Sequence, residues 1–403
     1  MIAVPIGAAT ATAVSTPVTP VVIRFGRLGD TILLQPLMRK LQQRYGKPCR
    51  VLALGGWPSV LFSAQPEVDG FIPLRSQHGS LLFSPARWRA ALALRQLRDC
   101  PFYVCEPELR ARTKVRPMLK LAGVRPENCQ FIEDTPVLQN EHWIDWLMRF
   151  GDRTPPAFRS AYGASSDEAP FTVDNTLLEK GPRKTGSAPQ LQASADERVD
   201  RDEWLRQQGM LGRPLVLLQP ANKRTIRWNG VRRADDDDKS WPAKRWGALA
   251  RAIAYRLPEA QILFCGSAAE AGYIRSLLAA TDTGSLRIDT AVLPLGRLKA
   301  LLEIAHSMIS VDTGPAHLAA AMGCPLVVLF GSRWPSMWAP RSGHGSPVSV
   351  IGGLPEVTRI DEIDTSQVVS AWRMLPPRRA LGAPVAVSRE TPADASTDLP
   401  RSR

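Results

Sequence analysis

Apolar residues recur along the chain in two alternating patterns. Short unbroken runs, such as Val21-Val22-Ile23 and Leu326-Val327-Val328-Leu329-Phe330, suit strands buried on both faces, as a parallel sheet requires. Between such runs, apolar positions return every three or four residues. Ile32, Leu33, Leu37 and Leu41 mark a helix over 31–45, and a second strand follows at 50–54. Strand, helix and strand within about thirty residues form the unit from which parallel sheets are built. Further helices are predicted at 86–97 and 141–150, with a strand at 102–104. A second series opens with a strand at 214–219 and a helix at 242–256. It continues through a strand at 261–265, helices at 268–279 and 297–306, and a strand at 308–311. A helix at 314–322, the strand at 325–330 and a last helix at 365–375 complete it.

Between the two series, 164–195 is rich in Ser, Ala, Pro, Gly and charge and has few large apolar residues, the composition of a linker or surface insertion. The predicted organisation is a disordered arm over 1–19, a first domain over 20–163, a linker or insertion over 164–205, a second domain over 206–376 and a disordered tail over 377–403. The fold class is α/β: two Rossmann-like, doubly wound parallel sheets facing a central cleft. In such sheets ligands bind beyond the carboxyl ends of the strands.

The 403 residues, 44% hydrophobic and 22% charged, exclude a fibrous or wholly disordered chain. Lys and Arg number 51 against 38 Asp and Glu, a net charge of +13, which favours an anionic partner. No helix-turn-helix, zinc-finger or RNP pattern accompanies that charge, so nucleic acid is not the expected partner. No apolar run approaches the roughly 18–20 residues of a membrane span, and the amino-terminal stretch lacks the pattern of a signal peptide. The six cysteines form no CxxC pair and read as reduced thiols of a cytosolic protein. The five histidines show no metal spacing, and no metal or other cofactor is expected.

Two loops carry the chemistry. In Asp312-Thr313-Gly314-Pro315-Ala316-His317 a strand gives way to a helix whose first position suits Pro315. Asp312 and Thr313 stand where their oxygens could cap free amides, and Gly314 lets a ligand near the backbone. The helix amino end offers a positive dipole to a phosphate, with His317 one turn in. The same pattern also fits a well-capped structural helix with His317 in the core. In Arg24-Phe25-Gly26-Arg27-Leu28-Gly29-Asp30, two glycines and a carboxylate follow a buried strand without the dinucleotide fingerprint GxGxxG. Asp30 is either an N-cap or a base that takes a proton from a substrate hydroxyl.

These residues resemble a known family. Arg24-x-x-x-Leu28-Gly29-Asp30 before an apolar helix is similar to the amino-terminal signature of the heptosyltransferases, glycosyltransferase family 9. Asp312-Thr313-Gly314-Pro315-x-His317, then Leu329-Phe330-Gly331 and Pro335-x-x-Trp338-x-Pro340, resembles their carboxy-terminal signature, and Lys239-Ser240-Trp241-Pro242 with Trp246 resembles an intervening segment. The resemblance implies a GT-B fold and metal-independent, inverting transfer of a sugar from a nucleotide donor. The usual donor is ADP-heptose and the usual acceptor the lipopolysaccharide core. It implies Asp30 as general base, Lys239 against the donor diphosphate, Glu270 at the ribose, and Asp312, Thr313, Gly314 and His317 around the pyrophosphate and sugar. A protein that binds nucleotide sugars without catalysis, and a family member with a different donor sugar, are the alternatives.

The chain departs from the family pattern after Asn222, where an insertion over 222–238 carries five basic residues, Trp228 and the run Asp235-Asp236-Asp237-Asp238. It either holds an acidic acceptor, changes the donor or is a tolerated surface loop. The four aspartates read as a solvated, charged face. Arg112, Arg116 and Lys120 recur every four residues and, with Arg24 and Arg27, are the candidate contacts to an anionic glycolipid acceptor or its phosphates. An ordinary solvated face is the alternative for the three. Trp143, Trp146 and Phe150 are expected in a core. The enzyme is expected in the cytoplasm, peripheral on the inner membrane surface.

Overall fold

The computed structural model describes residues 16–75, 84–163, 187–223, 225–227, 230–231, 237–281, 283–284, 286–376 and 378. The first sheet consists of β1 (Val21–Arg24), β2 (Cys49–Leu54), β3 (Val68–Leu74), β4 (Phe102–Val104) and β5 (Cys129–Phe131), in the order β3-β2-β1-β4-β5. The second comprises β6 (Leu215–Gln219), β9 (Gln261–Gly266), β10 (Ile288–Val292), β11 (Ser307–Val311), β12 (Leu326–Phe330) and β13 (Val348–Gly352), ordered β10-β9-β6-β11-β12-β13. A small antiparallel hairpin, β7 (Ile226–Arg227) and β8 (Gly230–Val231), stands between β6 and β9 in the chain. Every pairing within the two large sheets is parallel. Central strands are buried at each position, β1, β6, β11 and β12 among them, because helices cover both faces of a doubly wound sheet.

In both sheets the strand order turns back at the first strand, so crossovers leave β1 and β4, and likewise β6 and β11, in opposite directions. Each sheet therefore has a crevice at that point. The elements around these crevices are α1 (Leu28–Ile32), α2 (Gln35–Tyr45), α3 (Trp57–Leu61), α4 (Trp143–Asp152), α5 (Ala195–Gln207), α6 (Ala243–Arg256), α7 (Leu295–Ile304) and α8 (Gly314–Ala321). The two domains meet through α1 and α8 and through α3 and α7. Lys299 of α7 is completely buried, donates to the carbonyl of Val60 at 2.8 Å, and pairs with Glu197 at 2.8 Å. The second domain thereby terminates a helix of the first.

The predicted linker is corrected in its last part. Residues 164–186 lie outside the described residues, but 195–205 belong to α5, which packs on α7. Ser194 and Glu197 close a capping box at its start, and Arg198 and Arg201 are satisfied by Glu303. A helix this polar is stable because its charges are paired across α7, a contact no local pattern reveals. Of the predicted arm, 1–15 lie outside the described residues, whereas Val18 bonds to Tyr45 at 3.0 Å and bridges to Gly46. Of the predicted tail, only Arg378 is described, and it donates to the carbonyls of Leu302 and Ala305. All six cysteines are free, and five are buried. No helix among the described residues is long and apolar enough to cross a membrane.

Candidate active site

Between the two crevices lies a cleft of about 1060 Å³. Its first wall is the loop after β1. Asp30, in the first turn of α1, accepts the Arg27 amide at 2.8 Å and an Arg24 Nη at 3.1 Å. It thus closes the first turn back onto the N-cap, Arg27, yet its side chain keeps 24% exposure at the cleft. Arg24 lies behind it, buried, with its other Nη on the Cys105 carbonyl at 2.6 Å. The cation that neutralises Asp30 is therefore on the protein side, and the carboxylate is on the solvent side. The N-cap reading of Asp30 is corrected, since Arg27 is the N-cap and Asp30 the third helical residue; each of its carboxylate oxygens accepts one bond and retains a lone pair for another.

The second wall is the loop after β11. Lys239 bonds Asp312 at its carboxylate and donates to its carbonyl at 3.0 Å. Thr313 occupies the N-cap of α8 in extended geometry, but no side chain caps this helix. The expected capping by Asp312 and Thr313 is thus corrected: Asp312 is drawn to Lys239 instead, so the amino end of α8 keeps its field for a ligand. His317, one turn in, is 7% exposed, and its Nδ1 is buried without a partner. Burial lowers its pKa, partly opposed by Asp312 and Asp30, so the ring is neutral at neutral pH.

The two walls touch where glycines permit it. A Cβ on Gly29 would lie 2.9 Å from His317 Cδ2, and one on Gly314 would lie 2.9 Å from Leu28 Cβ and 3.2 Å from the Gly29 amide. Larger residues would push the domains apart, so this pair fixes the approach of the Asp30 loop to the α8 amino end.

Glu270 also reaches the cleft. Its Oε2 accepts the Ser267 amide at 2.8 Å and hydroxyl at 2.9 Å, closing the turn after β9. Arg27 lines the cleft, with an exposed side chain. Arg112, Arg116 and Lys120 do not line it. They lie on the solvent side of the segment after β4, where Arg116 pairs with Glu133 at 2.6 Å and covers the Phe131 ring. A π-helical turn over Ala111–Val115 also breaks the four-residue spacing that suggested a common face. Arg110 reaches the cleft in their place. Its Nη bonds Glu106 at 2.8 Å, and Glu106, completely buried, also accepts the Phe25 amide. Sequence reading missed Glu106 and left Arg110, part of the same basic stretch, out of the candidate contacts. Their signal was a Glu–Arg pair four residues apart directly after a buried strand.

The aspartate run is corrected as well. Asp235 and Asp236, like Trp228, lie outside the described residues, but Asp237 is buried. It accepts Asn222 Nδ2 at 3.0 Å and the Lys239 amide at 3.1 Å. Asp238 accepts the Ser332 hydroxyl through its carboxylate and the Ile360 amide through its carbonyl. These two are part of the second domain's frame, positioned by the turn that delivers Lys239. Among the described residues no group of three or more His, Cys, Asp or Glu side chains could hold a metal ion.

Two facing Rossmann-like sheets, with a carboxylate on one lip and a cation beside a bare helix end on the other, form the GT-B architecture. The sequence model of glycosyltransferase family 9 (heptosyltransferase) matches residues 181–361. Lipopolysaccharide heptosyltransferase 2 of Escherichia coli K12 is 25% identical over 350 residues, which is 83% of this chain and 88% of that protein. Among solved structures, E. coli ADP-heptose lps heptosyltransferase II superposes with a TM-score of 0.63 at 21% identity, over 88% of this chain and 97% of that one. The E. coli heptosyltransferase WaaC with ADP gives 0.55 at 15% identity, over 88% and 99%. By sequence, the part of the chain over 181–361 is thus similar to glycosyltransferase family 9.

Proposed function

We propose that this protein transfers heptose from ADP-heptose, with inversion and without a metal, to an anionic lipopolysaccharide-core acceptor at the cytoplasmic face of the inner membrane. One observation carries the reading: a partly exposed carboxylate, Asp30, faces Lys239, Asp312 and His317 across a cleft pinned by Gly29 and Gly314. The names of the similar proteins support these donor and acceptor classes, and the net charge of +13 suits an anionic acceptor.

Asp30 takes the proton of the acceptor hydroxyl as that oxygen bonds to the anomeric carbon. The bond from that carbon to the diphosphate oxygen breaks on the opposite face, and its electron pair leaves with the diphosphate. Lys239 has three N–H donors, of which Asp312 engages two. The third, with the amino end of α8, meets the charge of the leaving group. His317, being neutral, can accept a hydrogen bond from a sugar hydroxyl. Arg110, steadied by Glu106, offers the acceptor side a cation. Contact with the membrane supplies the lipid-linked acceptor.

The test is single-turnover transfer from ADP-heptose. Asp30→Asn is expected to lower the rate by about 10² to 10⁴ while donor affinity stays within about twofold. Unchanged turnover in a folded variant removes Asp30 as base. The alternative of a different donor sugar has its own support, because the insertion's first residues, Asn222 and Lys223, line the cleft. Thermal shifts against a series of ADP-, GDP- and UDP-sugars separate the two, since a donor at a hundred times its Kd adds about 2.7 kcal/mol.

A further inference from the structure

The base is held by an arginine, and the arginine lies on a tryptophan that is backed by the other domain. Arg24 lies with its guanidinium carbon 5.0 Å from the centre of the Trp143 ring. Trp143, the first residue of α4, is stacked in turn on Trp338 of the second domain, with centroids 5.4 Å apart and planes at 19°. Two contacts bolt the same helix start to the same segment. His142 Nδ1 accepts the Ile144 amide at 3.2 Å, so Nε2 carries the hydrogen and donates to the Ala339 carbonyl at 2.9 Å. Asp145 receives both Nη groups of Arg341 at 2.9 Å. Trp338 lines the cleft, whereas Trp143 does not.

We propose that the Trp338–Trp143 stack is a positioning device that aligns Asp30, through Arg24, only when the two domains are closed on each other. Arg24 has few other restraints. It keeps one bond to the Cys105 carbonyl, and its Nε is buried without a partner. A guanidinium over a desolvated ring face is attracted by the ring's negative face, which selects one rotamer of a long side chain. The ring face is in turn fixed by Trp338. When the domains part, Trp143 loses its backing, Arg24 regains its rotamers, and Asp30 keeps only the Arg27 amide. Closure around a donor thus prepares the base that acts on the acceptor, although Trp143 touches neither substrate.

This inference rests on the proposed role of Asp30, and its test has one arm that does not. In the first arm, Trp143→Leu and Trp143→Phe are compared in transfer from ADP-heptose. Trp143→Leu is expected to lower kcat about tenfold, equivalent to about 1.4 kcal/mol, with the donor Kd within about twofold. Trp143→Phe, which keeps a ring face, restores most of that loss. Trp338→Leu with Trp143→Leu is expected to be little worse than Trp143→Leu alone, as for two links of one chain. A kcat that hardly changes in Trp143→Leu, or a double variant whose loss is the product of the singles, overturns the proposal. In the second arm a crystal structure of Trp143→Leu is solved, and the Arg24–Asp30 pair is expected to be broken. A pair intact at its original distance refutes the device whatever the reaction proves to be. Loss of activity in Asp30→Asn with an intact pair in Trp143→Leu would leave the base standing and remove the coupling alone.

Discussion

The two crevices share a topology and invert its chemistry. After β1 the cation, Arg24, is buried and the anion, Asp30, faces the cleft. After β11 the anion and cation, Asp312 and Lys239, stand side by side with similar small exposures of 12% and 14%, next to a helix end that no side chain caps. A parallel sheet delivers loops to the same edge in both cases, so the fold supplies the place and not the function. What differs is which charge the protein screens from behind. With an arginine behind it, the carboxylate of Asp30 turns its remaining lone pairs to the cleft. Placed against a lysine, it leaves an amide-lined helix end with a net positive field.

Lys239→Met breaks this arrangement most directly, because it removes the cation and leaves Asp312 unpaired. Transfer should fall by about 10² to 10³ with a higher donor KM, measured by steady-state kinetics. If the rate holds, the second crevice does not stabilise the leaving group. Gly314→Ala is next. Its Cβ meets Leu28 Cβ at 2.9 Å, so the two crevices separate, at a stability cost of roughly 1–3 kcal/mol. A lowered melting temperature and weaker transfer are expected, and an unchanged pair of values would show that the contact yields freely.

Acid should lower stability through His142, which bonds the Ala339 carbonyl of the second domain. Burial, with Arg341 nearby, lowers His142 to about 4, against about 6.5 in the unfolded chain. The unfolded state therefore binds more protons in that window, so stability is complete above pH 6.5 and is lost as the pH falls towards 4. His317, His306 and His344, also lowered by burial, add to the slope. Melting curves across this range should show the loss, and His142→Asn should make it shallower. An equally steep slope in that variant would assign it to the other three. The smallest effect is expected at Arg116→Gln, outside the cleft. Its exposed pair with Glu133 is worth at most about 1 kcal/mol, and transfer should be unaffected. A raised acceptor KM would return Arg116 to the site in place of Arg110.

Much of this arrangement was legible in the chain. Unbroken apolar runs located β1, β6, β11 and β12, and the glycines and charges directly after β1 and β11 located both lips of the cleft. The strands β3, β5, β10 and β13 gave no such signal. β10 and β13 are only partly covered, so their residues need not be uniformly apolar, and β5 has three residues. Helix α5 escaped because its stability comes from pairing with Glu303, about a hundred residues away. The basic spacing at 112, 116 and 120 misled for a geometric reason: a π-helical turn changes the residues per turn on which the inference rested. Contacts between domains, such as Trp143 on Trp338, have no local sequence trace.

The buried clasp between Asn222 and Asp237 has an evolutionary consequence. It ties off the chain where the extra segment leaves the sheet and where it returns, so the residues between can be lengthened, shortened or replaced while β6 and Lys239 remain anchored. Lengthening a tied-off loop adds only a slowly growing entropic penalty. A lineage could therefore explore new specificities by exchanging this segment while its inherited reaction apparatus stays intact.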